Sequence, residues 1–137
     1  MAKLSNEKIE LFFPTCNPDT VKDGRGGIFT WVPQDAIAEF NMLYFTPGAS
    51  RGNHRHPEFV EYSLVVDGSA IVTSIDKKTK KETVIHISKG SCIRTPKNVV
   101  HTIYAITELT VIALLTKPWD DCEKPIIREI KEDVIKK

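Results

Sequence analysis

From about Gly26 to Lys117 the sequence is a succession of short β-branched and aromatic runs, each cut off by Gly, Pro, Asn or Asp. No stretch between them holds a helical period long enough for the crossover that parallel strands require, which argues against alternating βαβ units. The runs cover residues 27–32, 39–46, 60–66, 70–75, 82–87, 91–95, 100–106 and 109–116. About eight short strands joined by turns predict an all-β antiparallel sandwich or barrel. The chain of 137 residues suits one domain. It divides into an N-terminal arm (1–24), a β-barrel (25–118) and a C-terminal tail (119–137). In the tail Ile126, Ile127, Ile130 and Val134 recur at helical spacing behind Pro125, which predicts a short amphipathic helix over about 126–135.

With 41% hydrophobic and 27% charged residues the chain has the composition of a folded, soluble protein. Nineteen Lys+Arg against eighteen Asp+Glu leave a formal charge of +1, so no field gathers phosphate backbones, and nucleic acid is not expected as a partner. Cys16, Cys92 and Cys122 are odd in number and contain no CxxC pair, so they read as free thiols of a reducing compartment. The charged N-terminus has no signal-peptide core and no segment is long and apolar enough for a membrane span; a cytoplasmic location is the expectation. The lysine-rich stretch 76–82 falls between two strand-like runs and reads as a solvated hairpin turn.

Three of the four histidines fall in two compact segments. On a strand, positions i and i+2 share a face, so His54 and His56 can present both imidazoles to one point while Arg55 looks the other way. Pro57 cannot donate to a ladder and ends or kinks the strand, letting the chain re-enter with Glu61 inward. His101 follows a Pro96-Lys97-Asn98 turn at the start of an apolar strand, where a neighbour can bring it beside the others. Three nitrogens and one oxygen suit a divalent first-row ion with positions left open for water or substrate. The competing reading makes His54 and His56 acid and base, or core side chains, without metal. His86 lies far from both segments and reads as a partly exposed strand residue.

Gly48, His54, His56, Glu61 and Gly68, followed by Gly90, Pro96 and His101, form the pattern GX5HXHX4EX6G…GX5PXNX2H. This resembles the two signature motifs of the cupin superfamily. At roughly one in twenty per residue type, the match would arise by chance on the order of 10⁻¹⁰ per placement. The resemblance implies a cupin-type jelly-roll β-barrel with a metal (zinc, manganese, iron or nickel) near its mouth, held by His54, His56, Glu61 and His101. Asn98 replaces the usual Gly of the second motif, and Asn accepts a left-handed turn better than most residues. Ala105 stands where the motif often ends in Asn.

Arg51-Gly52-Asn53-His54-Arg55-His56 resembles the RGxHxH segment of cupins acting on nucleotide-activated sugars, a group related to dTDP-4-dehydrorhamnose 3,5-epimerase. Asp23-Gly24-Arg25-Gly26 resembles their DxRG element. The resemblance implies that Arg25 and Arg51 bind phosphate or sugar oxygens and that His54 or His56 removes a proton next to a keto group. The ordinary alternative for both arginines is an exposed or structurally paired side chain. A metal-bound imidazole is a poor base, so full ligation by both histidines would pass the proton to another residue. Glu58 is the nearest such group, whereas alternation turns Tyr62 and Tyr104 to the outer face. The expected function is that of a sugar or nucleotide-sugar isomerase or epimerase. An Fe(II)-dependent dioxygenase and a non-catalytic carbohydrate-binding cupin are the alternatives. A homodimer is expected, with Leu64, Val66 and Tyr104 offering outward surface.

Overall fold

The computed structural model describes residues 7–15, 22–76 and 79–129. The strands are β1 (Glu10–Phe12), β2 (Lys22–Asp23), β3 (Gly26–Gly27), β4 (Glu39–Phe45), β5 (Ser50–Arg55), β6 (Glu61–Asp67), β7 (Ser69–Ile75), β8 (Glu82–Ser88), β9 (Cys92–Thr95), β10 (His101–Ala105), β11 (Leu109–Leu115) and β12 (Ile127–Arg128). One antiparallel sheet has the order β1-β9-β6-β11-β4 and a second has β12-β5-β10-β7-β8; β2 and β3 form a separate hairpin. The all-β expectation therefore holds. A 3-10 turn, Trp119–Asp121, is the one helical element among the described residues, and no described helix is long and apolar enough to cross a membrane.

Strict alternation builds the core. In β11, Leu109, Val111, Ala113 and Leu115 are buried while Thr110, Ile112 and Leu114 are less so. Phe45, Val65 and Ile93 of the same sheet and Val72, Ile87 and Ile103 of the facing one complete a close-packed layer between the sheets. A smaller cluster of Phe59, Ala113 and Leu115 lies separately, and its Phe59 ring stacks on His56 at 4.5 Å. The turn from β6 into β7 is made at Gly68, where an added methyl group would meet the Glu108 carbonyl oxygen, so only glycine fits.

Three expectations need correction. Residues 27–32 do not continue as a strand beyond Gly27: Phe29 and Val32 are exposed, and the segment joins the rest through the Thr15–Thr30 bridge and a hydrogen bond from Trp31 Nε1 to the Gly90 carbonyl. Its aromatic residues lie over the outer face of β6 rather than in a ladder, because together with Phe13, Leu64 and Val66 they line an apolar groove there. The predicted C-terminal helix is replaced in its first turn by β12, which pairs with β5; residues 130–135 of that prediction lie outside the described ones. The free edge of β5 offers Ile127 and Arg128 a ladder, and this outweighs the helical periodicity of the isoleucines. Finally, β5 was not among the apolar runs, since its sequence Ser-Arg-Gly-Asn-His-Arg is polar.

Of the cysteines, Cys92 is buried and Cys122 partly so, both free; burial pushes the Cys92 thiol up to about 12, leaving it unreactive. Cys16 lies outside the described residues.

Candidate functional site

The histidines come from two adjacent strands. His54 lies directly opposite His101 in the β5–β10 ladder, and His56 follows one residue after β5 ends. The ring centroids lie 4.7 Å (His54–His101), 4.8 Å (His54–His56) and 5.3 Å (His56–His101) apart. One ligand atom from each falls within 4.8 Å of the others, so the three form a cluster able to hold a metal ion. Glu61 enters from the opposite sheet at the start of β6, with its Oε1 3.7 Å from both His56 Nε2 and His101 Nε2.

A bulge between β5 and β10 aims these groups. The register passes from His101↔His54 to Thr102↔Gly52, so Asn53 is extra, and it takes a left-handed φ of 51°. Thr102 staples the bulge: its Oγ1 accepts from the Asn53 backbone N–H at 2.8 Å and donates to Asn53 Oδ1 at 3.2 Å. Simple alternation would put Arg51 and His54, three residues apart, on opposite faces; the extra residue puts both on the cavity wall. Asn98 adopts the left-handed φ, 64°, expected of it, and its N–H donates to the His56 carbonyl.

The tautomers follow from the carbonyls behind the rings. His56 Nδ1 lies 3.0 Å from the Pro125 carbonyl oxygen and His101 Nδ1 lies 2.8 Å from that of Val99. A carbonyl only accepts, so each Nδ1 carries the hydrogen and, in the neutral ring, each Nε2 presents a lone pair towards Glu61. Burial first, with His101 and His56 adding to it, pushes His54 down to about 3; burial likewise lowers His56. The Glu61 carboxylate thus faces the Nε2 atoms of both His56 and His101. His54 Nδ1 and His56 Nε2 are buried with no hydrogen-bond partner. Acceptors turned on one another are costly unless a cation lies between them, so the donor set fits a metal ion.

A cavity of about 490 Å³ opens on this centre. Arg51, Asn53, Tyr104, Trp119, Ile126 and Arg128 line it together with the histidines and Glu61. Arg51 is exposed, with its guanidinium 5.8 Å from the centre of the Phe45 ring. Glu58 is not on the wall: it accepts from Lys117 Nζ at 2.9 Å and from the Lys124 N–H at 2.5 Å. Arg25 sits in the β2–β3 turn, also outside the lining. Tyr62 faces away from Glu61 and is buried, its hydroxyl donating to Asp35 at 2.5 Å; Tyr104 is on the cavity wall rather than beside Leu64 and Val66. His86 is exposed on β8.

Sequence reasoning missed the role of the C-terminal segment. Trp119 packs edge-on to His56 with centroids 6.3 Å apart, Pro125 fixes its tautomer, and Arg128 lies opposite His54 in the ladder. The alternation Ile127-Arg128-Glu129 was the available signal. Arg55, between the two histidines, is buried on the other face with its Nε 2.6 Å from Glu129 Oε1 and its Nη1 3.0 Å from Asn98 Oδ1.

The depressed His54 imidazole carries a pH prediction. As pH falls below 6.5 the unfolded chain protonates at His54, whereas the folded chain does so only near 3, so stability is complete above 6.5 and lost progressively between these values. Thermal melts of chelator-treated protein should fall in midpoint through that window, and His54→Asn should make the decline shallower.

Residues 41–116 match the family described as the cupin domain. No curated protein matches the sequence. Among solved structures, a 3,4-ketoisomerase from Helicobacter canadensis superposes with a TM-score of 0.75 at 16% identity, covering 93% of this chain and 95% of that one. A dTDP-4-dehydrorhamnose 3,5-epimerase from Sulfolobus tokodaii gives 0.67 at 19% identity, over 80% and 70%. A 3'-monoepimerase from Streptomyces bikiniensis, in complex with dTDP-quinovose, gives 0.71 at 19% identity, over 86% and 68%. At these identities the likeness is one of fold.

Proposed function

We propose that this chain, which belongs to the cupin family, is a metal-binding isomerase or epimerase that moves a proton next to the carbonyl of a keto sugar, most specifically of a nucleotide-sugar. The observation that carries the reading is the convergence of three imidazoles and one carboxylate on the floor of a cavity with a guanidinium on its wall. The fold it shares with sugar ketoisomerases and epimerases supports the substrate class.

His56, His101 and Glu61 are the residues to hold the ion. Both histidines have the Nδ1–H bonded to a carbonyl and the Nε2 turned to the same carboxylate oxygen, the outer-shell pattern of ligating imidazoles. A divalent ion bound there supplies Lewis acidity that polarises a carbonyl. His54 differs from the other two: it is less buried and its Nδ1 has no partner. That leaves His54 to take the proton, which removes the conflict between ligation and base catalysis. Arg51 binds the anionic end of the substrate through its planar fork, with Arg25 as a second candidate for that task. A second copy of the chain covers the exposed Phe40, Met42, Tyr44 and Val66 on the outer face of the first sheet, giving a homodimer.

The test is metal analysis of the purified protein together with solvent-deuterium incorporation into a panel of dTDP- and UDP-4-keto sugars. One divalent ion per chain and exchange into at least one sugar are expected, with no oxygen consumed when ferrous iron is supplied. His54→Asn should keep the ion and lose exchange. Exchange into none of the sugars, or oxygen uptake, would overturn the reading.

A further inference from the structure

Resting on that reading of the site, we propose that Arg128 is a catalytic residue: its guanidinium neutralises the carbonyl oxygen of the substrate as the neighbouring C–H bond is broken. β12 is only two residues long, but its register is fixed, with Ile127 opposite Arg55 and Arg128 opposite His54. Paired residues of an antiparallel ladder share a face, so Arg128 stands on the His54 face and lines the cavity, while Ile127 and Glu129 take the other face with Arg55. The backbone on either side is held. The Glu129 N–H donates to the Asn53 carbonyl at 2.6 Å, the Glu129 carboxylate bonds the buried Arg55, and the Pro125 carbonyl is held by His56. An exposed cation is thereby mounted on an ordered strand beside the proposed base.

The two arginines on the wall divide the work. Arg51 lies three residues from His54 along β5, across the bulge, and its guanidinium leans over Phe45. Arg128 is the cation directly opposite His54. Removing a proton next to a ketone breaks the C–H bond; its electron pair forms the C=C bond as the carbonyl π pair moves onto oxygen, and the proton goes to an imidazole nitrogen of His54. Delivery of a proton from solvent water to the other face of the same carbon, while His54 gives its proton to solvent, completes epimerisation; protonation of the former carbonyl carbon by His54, with the neighbouring hydroxyl proton passing to the former carbonyl oxygen, completes ketoisomerisation, and exchange of the His54 proton with water carries solvent hydrogen into either product. The charge appears on oxygen only as the reaction proceeds, so a guanidinium carried there by the strand acts on kcat rather than on binding.

The experiment measures steady-state deuterium exchange with the keto sugar nucleotide that the wild type exchanges fastest, comparing Arg128→Gln, Arg128→Lys and Arg51→Gln. Loss of one preorganised donor to an oxyanion costs about 10²–10³ in kcat, so Arg128→Gln should lose about a hundredfold in kcat with KM almost unchanged, and Arg128→Lys should recover part of it. Arg51→Gln should raise KM instead. Unchanged kcat in Arg128→Gln, whether or not KM rises, overturns the assignment while leaving the function standing. Absence of exchange in the wild type overturns the function and this assignment with it.

Discussion

Replacing Gly52 by alanine should lower the melting midpoint by roughly 10 °C and remove metal binding in the same step. A Cβ at this position would overlap Thr102 Cα and lie 2.5 Å from Thr102 Cβ and Oγ1. The obstacle is the backbone of the neighbouring strand, so no rotamer change relieves it, and β5 and β10 must separate. Overpacking of this kind costs roughly 2–3 kcal/mol. The same two strands carry His54 and His101, and the Thr102 hydroxyl forms the staple of the bulge, so separation misaligns the donors as it destabilises the fold. Gly24→Ala is the control: nothing lies within 4 Å of an added methyl there, and both midpoint and metal content should be retained. Differential scanning calorimetry and metal analysis of the two variants test this.

Replacing Glu61 by glutamine should weaken metal affinity by more than the roughly 10–100-fold that losing an outer-shell partner costs. The melting midpoint of the metal-free protein should nonetheless stay level or rise. Without a cation, the Glu61 carboxylate faces two Nε2 lone pairs at 3.7 Å, an arrangement unfavourable to the empty fold. An amide replaces the charge with a group that can donate to one of those nitrogens. The stabilisation that added metal gives the wild type should disappear, because it follows from binding to the folded state alone. Melts with and without zinc or manganese decide this; a metal-induced rise in Glu61→Gln equal to that of the wild type would exclude the carboxylate from the centre.

Much of the strand order was legible because burial repeats every second residue. The runs at 39–46, 70–75, 82–87 and 109–116 became β4, β7, β8 and β11 with ends shifted by at most one residue. The clustered histidines were legible for a different reason, since His54, His56 and His101 are polar types placed among turns and apolar strands at fixed spacing. What was not legible depended on contacts distant in sequence. The isoleucines of the tail have helical spacing, yet Arg55 is a buried cation whose partner, Glu129, lies 74 residues away, and satisfying it places the tail against β5. Arg51 could not be assigned to the cavity by counting, because the Gly52–Asn53 bulge changes the parity of the strand. The strap at 28–32 has strand composition but spends it on covering the outside of β6.

The carbonyl of Pro125, which accepts from His56, also sets a sequence of events for the newborn polypeptide. His54, His56, Glu61 and His101 all precede Pro125 by at least 24 residues in the chain, and until that carbonyl docks the His56 ring is free to place its hydrogen on either nitrogen. The docked tail is therefore what fixes which His56 nitrogen faces the histidine cluster, and a metal ion held there would meet that tautomer only after β12 has paired with β5.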